Sequence, residues 1–276
     1  MKLEIKNLKF GYNSSMPVLK NVNMDASPGE ITAVIGPNAA GKTTLLKCIA
    51  GILKPNEGSI LLNGKEMNNF KKEEITRYVS YLPQETYAHA VLTVFEVVLL
   101  GRLHTLSWRV SDDDLTIVLN VLEELGIDEL ASRFFNELSG GQKQMVFIAQ
   151  SLVREPKVLL MDEPTSSLDL QHQLEVLDLI RDVTVEREIT TLIALHDLNL
   201  AARYADKIVV MHNGMVYASG KPISVLTPEM VRYIYGVNAT IYVDDDGIPQ
   251  VTPISSVRRK ARVNKLNKES KMGVRK

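Results

Sequence analysis

The chain has 276 residues, 45% of them hydrophobic and 24% charged, which is the balance of an ordinary globular protein and enough for one large domain with a subdomain. One cysteine excludes an internal disulfide framework, and the most apolar stretch, Val91 to Leu100, is too short to span a bilayer and holds Glu96, so work at a membrane would go through a partner. The net charge of −1 hides an asymmetry: residues 257–276 carry nine Lys or Arg and one Glu, a net +8 that leaves −9 on the rest, and an acidic body argues against a nucleic-acid partner.

Leu3 to Phe10 alternates apolar and polar residues as a half-buried strand does, and Val18 to Met24 repeats the pattern. A break is expected between them at Gly11, Tyr12, Asn13 and Pro17. Tyr12 there either stacks on a nucleobase or simply packs on a strand. Pro28-Gly29 turns the chain into the apolar, β-branched run Ile31 to Ile35. Gly36-Pro37-Asn38-Ala39-Ala40-Gly41-Lys42-Thr43-Thr44 follows, and then a helical pattern from Leu45 to Ala50. A strand, a G-x-x-x-x-G-K-T loop and a helix form the context of a phosphate-binding loop. Its backbone N–H groups and the helix N-terminus would surround phosphates. Lys42 would reach the β- and γ-phosphates, and the Thr43 hydroxyl would bind Mg²⁺. Cys48, inside the helical pattern, reads as an inert buried thiol.

Gly51 and Pro55 end that helix, Ser59 to Asn63 forms a strand, and Asn63-Gly64 is a turn signal. Antiparallel strands thus flank the phosphate loop. Glu73 to Tyr78 is a short helix, and Val79 to Leu82 a strand whose end at Pro83 exposes Gln84. From about residue 86 to 155 the pattern is helical: Thr93 to Arg102, Leu115 to Gly126 and Gly141 to Arg154. Ser111 would cap the second helix, with Asp112, Asp113 and Asp114 as a solvated helix start rather than a metal site. Lys157 to Met161 is a buried strand ending in Asp162-Glu163-Pro164. Gln171 to Glu186 is a helix, and Ile189 to Leu195 a second buried strand, ending at His196. Strands that deliver polar residues at their carboxyl ends mark a parallel sheet with its site along that edge. Lys207 to Met211 and Met215 to Ala218 make a hairpin through Asn213-Gly214, and Pro222 to Leu226 and Pro228 to Tyr235 are short helices.

Phosphoryl transfer needs a positioned Mg²⁺, charge neutralisation and an oriented water. Asp162 can hold Mg²⁺ through its water shell, and Glu163 can act as general base on the attacking water. Gln84 offers an amide to Mg²⁺ or to that water, and His196 a donor to the γ-phosphate. Leu138-Ser139-Gly140-Gly141-Gln142 opens a helix whose N-terminus is a second phosphate-binding end. It lies in the helical segment, where a second copy, arranged head to tail, reaches a phosphate loop more readily than the same chain does.

On these residues the chain resembles the ATP-binding subunits of ABC transporters over nearly all of residues 1–253. The resemblance implies an α/β fold with a P-loop NTPase (RecA-like) core, an antiparallel β subdomain and an inserted α-helical subdomain. It implies that Tyr12 stacks on adenine, Gly36 to Thr44 is the Walker A loop, Gln84 the Q-loop and Leu138 to Gln142 the signature. Leu159 to Glu163 would be the Walker B strand with its catalytic glutamate, Ser167-Leu168-Asp169 the D-loop, and His196 the switch histidine. Thr93-Val94, Glu96 to Val98, Gly101-Arg102, Leu226 to Val231, Tyr235 to Val237 and Asp246 to Pro253 are similar to the importer ATPases for iron-siderophores, haem and cobalamin. The family usually has Gly where this chain has Ala39.

The expectation is therefore a peripheral ATPase at the cytoplasmic face of the membrane. Two copies would clamp ATP and Mg²⁺ and drive transmembrane permease subunits docked near Gln84 and residues 86–110, with a substrate-binding protein upstream. Another class of transporter, or a clamp acting on nucleic acid or ribosomes, is the alternative. Residues 254–276 form a basic tail that is either a disordered, solvated end or an adhesion to anionic lipid.

Overall fold

A computed structural model describes residues 1–13, 16–84, 91–103, 110–166 and 168–257. Strand β1 (Leu3–Asn13) pairs antiparallel with β2 (Met16–Ala26). The break expected at Gly11 to Asn13 is absent. The strand carries on through Tyr12, with register shifts of the β-bulge kind at Phe10/Gly11 and Gly11/Asn13 that keep Gly11 paired with Pro17. After β3 (Ile31–Ile35) and α1 (Lys42–Ile49), β4 (Glu57–Leu62) pairs with the other edge of β1, and β5 (Lys65–Glu66) closes a four-stranded sheet in the order β2-β1-β4-β5.

The second sheet is built on β3. After α2 (Lys72–Tyr78) come β6 (Val79–Leu82), the helices α3 (Val94–Leu99), α4 (Asp112–Glu124) and α5 (Gly140–Leu152), then β7 (Val158–Asp162), α6 (Leu170–Glu186), β8 (Thr190–Ala194), α7 (Leu198–Tyr204), β9 (Lys207–His212) and β10 (Met215–Gly220). The order is β10-β9-β3-β8-β7-β6, parallel throughout except for the edge hairpin strand β10. Both faces are covered, so β3, β7 and β8 are buried at every residue and read as continuous apolar runs.

The side chains still alternate by face. Ile31, Ala33 and Ile35, with Leu159, Met161, Ile193, Ile208 and Val210, join the core under α3 to α6. Val34, Val158, Leu160, Leu192, Ala194, Val209 and Met211 join Leu45, Leu46, Cys48 and Ile49 of α1 in a second core closed by the antiparallel sheet. Burial pushes the Cys48 thiol up to about 12, so it stays protonated and inert.

The chain ends in α8 (Pro222–Val225), α9 (Pro228–Tyr235) and a hairpin of β11 (Val237–Val243) and β12 (Pro249–Ser256). The hairpin pairs Val237 with Ser256 and Asn238 with Ser255, so ordered strand runs past the boundary expected at Pro253. One further expectation changes. Asp112 to Asp114 do open α4 behind the Ser111 cap, but Asp114 is not solvated. It accepts from the Ser111 hydroxyl at 2.7 Å and from Arg102 Nε at 2.6 Å, and these bonds hold its carboxyl below the usual carboxylate range.

Candidate active site

Four parallel strands aim their carboxyl ends at one place. β3 feeds residues 36–41, β6 leads to Gln84, β7 ends at Asp162 and Glu163, and β8 leads to His196. A cleft of about 470 Å³ lies there, lined by Asn38 to Thr44, Gln84, Glu163, His196 and Val18.

The loop is shaped by its backbone. A Cβ on Gly36 would stand 2.2 Å from the Met211 carbonyl oxygen, so only glycine lets β3 turn out beside β9. Gly41 caps α1 without a side chain, which leaves the first-turn N–H groups facing the cleft uncapped. Ala39 sits at φ +63°, in the left-handed region. Lys42, nearly fully buried, donates from Nζ to the Gly36 carbonyl at 2.8 Å and to that of Pro37 at 3.4 Å, which centres the ammonium in the loop. Burial lowers its pKa, and the carboxylates of Glu163 and Asp162 oppose that shift.

Across the cleft, Glu163 is turned by its own left-handed backbone, φ +55°, out of the line of β7. Its Oε2 accepts from Gln84 Nε2 at 2.6 Å, and its Oε1 contacts His196 Nε2. Each carboxylate oxygen keeps lone pairs for a further donor. Beneath lies Asp162, 1% exposed. Its Oδ2 accepts from the Tyr81 hydroxyl at 3.4 Å, and its Oδ1 has no hydrogen-bond partner among the described residues. A buried, unpartnered carboxylate oxygen is costly, and carboxylate, hydroxyl and amide oxygens, the types that Asp162, Thr43 and Gln84 offer, are hard donors that suit a small divalent cation. Burial and Asp162 both keep the Tyr81 phenol protonated.

The structure thus brings Asn38, Ala39, Ala40, Gly41, Lys42, Thr43, Thr44, Gln84, Glu163 and His196 to one cleft, with Gly36, Pro37 and Asp162 just behind it. It does not bring the others there. Tyr12 is exposed and meets Phe10 edge-on, ring centroids 5.0 Å apart. Ser139, Gly140, Gly141 and Gln142 open α5 as a capping box, in which Ser139 Oγ accepts from the Gln142 N–H and the Gln142 side chain accepts from the Ser139 N–H. Asp169 caps α6. Ser167 and residues 85–90 and 104–109 lie outside the described residues. Tyr81 was missed by sequence reasoning. The signal was available, since in β6 it lies two residues before Pro83 on a strand paired with β7.

The sequence profile described as ABC transporter matches residues 19–166. An uncharacterized ABC transporter ATP-binding protein of Methanocaldococcus jannaschii is 43% identical over 92% of this chain and 98% of its own length. The petrobactin import ATP-binding protein of Bacillus anthracis is 38% identical over 93% of this chain and 95% of its own. Among solved structures, an inward-facing ABC transporter assigned to the metal-chelate type superposes with a TM-score of 0.80 at 28% identity, covering 92% of this chain and 97% of that one. The phosphate loop, the Glu163 and His196 cluster and these similarities together make the chain a member of the ABC transporter family, an ATP-binding, ATP-hydrolysing cassette.

Proposed function

We propose that this chain is the ATPase of an importer for a ferric siderophore or related metal chelate, working as a head-to-tail pair bound to membrane-spanning permease subunits. The observation that carries the catalytic part is the Glu163 carboxylate, fixed between Gln84 and His196 and facing the Lys42 loop. From there it can take the proton of a water attacking a γ-phosphate held by the loop N–H groups and Lys42. His196 can donate to that phosphate. Thr43, Gln84 through its amide oxygen, and Asp162 through Oδ1 would hold Mg²⁺, which when bound neutralises phosphate charge. Tyr12, near the end of β1, offers a ring for adenine.

The signature residues Ser139 to Gln142 are absent from the lining of the cleft, which supports the pair. A second copy supplies the missing wall, and closure on ATP pulls the helical segment and whatever docks on it. Among the described residues no helix is long and apolar enough to cross a membrane, so that task falls to partner subunits, with a substrate-binding protein outside them. The petrobactin, iron(3+)-hydroxamate and siderophore-transport relatives favour a ferric siderophore over haem or cobalamin.

Uptake of radiolabelled ferric siderophore by the source cells tests the reading. Deleting the gene should abolish it, wild type should restore it, and Glu163→Gln should not. Normal uptake in the deletion strain, with loss of another cargo, would assign the chain to a different transporter class.

A further inference from the structure

Gly140 and Gly141 stand side by side at the start of α5, yet they face different surroundings. A Cβ on Gly140 would meet nothing within 4 Å. A Cβ on Gly141 would stand 2.5 Å from Cδ2 of His172, 2.9 Å from its Cγ and 3.1 Å from its Nε2. The imidazole of His172, in the first turn of α6, is therefore seated on the bare backbone of the signature. Its other edge is tied down: Nδ1 lies 2.7 Å from Asp169 Oδ1, and the same oxygen accepts the His172 backbone N–H at 3.0 Å.

We propose that His172 is a positioning residue that fastens the N-terminal turn of α5 to that of α6, so that Ser139-Gly140-Gly141 and Asp169 are presented to a second copy's nucleotide as one rigid unit. The proposal rests on the two-copy reading above. It gives the paired glycines separate tasks. Gly140 leaves open space on the side where a phosphate would approach. Gly141 makes room for the chain's own imidazole. None of these residues lines the Lys42 cleft, so ATP affinity of a single chain does not depend on their contact. Pairing does, because a signature that wanders must be re-ordered each time two copies close.

The test is a double-mutant cycle in a Glu163→Gln background, which slows turnover so that ATP-bound pairs accumulate. Sedimentation equilibrium with Mg²⁺ and ATP reads the pairing constant, and calorimetry on dilute single chains reads ATP affinity. His172→Ala should weaken pairing about tenfold or more and leave single-chain affinity intact. Gly141→Ala, which displaces the same imidazole, should weaken pairing as well, and the two changes together should cost no more than the larger of them, because both break one contact, whereas the effects of His172→Ala and Gly140→Ala should add. Purely additive effects at 141 and 172 would overturn the proposal. If Glu163→Gln with both residues intact stays single with ATP, the two-copy reading falls and the proposal with it. NMR titration of the folded wild type covers the case of a poorly folding variant. His172 should titrate above an ordinary histidine because of its bond to Asp169, and Asp169→Asn should bring it down. Nuclear Overhauser contacts between the His172 ring protons and the Gly141 Hα protons read the seating itself, and their absence would refute the tether.

Discussion

Ala39→Gly isolates the strain in the phosphate loop. At φ +63° an L-residue carries roughly 1 kcal/mol of backbone strain that glycine does not. Two quantities should respond differently. Folding stability gains from relief of strain but loses about 0.5–1 kcal/mol to the larger chain entropy of unfolded glycine, so the terms nearly cancel. The melting temperature should then move by less than about 4 °C. ATP binding sees no unfolded chain. It needs the loop N–H groups converged, and alanine favours loop conformers in which they are not, which lowers the binding-competent fraction. Releasing about 1 kcal/mol corresponds to roughly fivefold tighter ATP binding. Titration calorimetry on the single chain measures it. Equal affinity of the wild type and the Ala39→Gly variant would show that the loop is held left-handed by its neighbours at no cost to binding, and the reasoning would fail.

Other outcomes follow from the same geometry. Glu163→Gln keeps the bond to Gln84 but removes the proposed base, so hydrolysis should drop by about 10²–10⁴ while ATP still binds; a filter-binding assay beside a phosphate-release assay separates the two. Asp114, whose folded pKa is lowered by Ser111 and Arg102, contributes stability that is present above its unfolded value of about 3.9 and is lost as pH falls through the folded value. Asp114→Asn should therefore flatten the acid limb of a thermal-stability profile below about pH 4 and lower stability at pH 7, read by calorimetry. An unchanged slope would mean that the Arg102 pair does not respond to acid.

Much of this was legible locally. The loop from Gly36 to Thr44 declares itself by spacing, and apolar runs ending in Asp162 and His196 declare parallel strands, because a sheet covered on both faces leaves no alternation in its central strands. The hairpin of β11 and β12 was missed although Thr240 to Val243, the Asp-Gly at 246–247 and Ile248 to Thr252 form a β-branched hairpin pattern. Family resemblance alone had pointed to part of that segment. The break expected at Tyr12 failed because bulges let a strand pass a glycine and a proline partner. Asp114 looked like a dipole partner because Arg102 approaches it from a different helical segment. The seating of His172 on Gly141 is likewise a long-range contact, which no window along the chain contains.

The central claim is that a nucleotide's terminal phosphate is gripped by two copies of this chain. The most direct measurement is the ATPase rate per chain as a function of protein concentration, with mass followed by light scattering on the same samples. The account predicts a per-chain rate that vanishes on dilution and rises as pairs form. A constant rate in samples containing only single chains would contradict it.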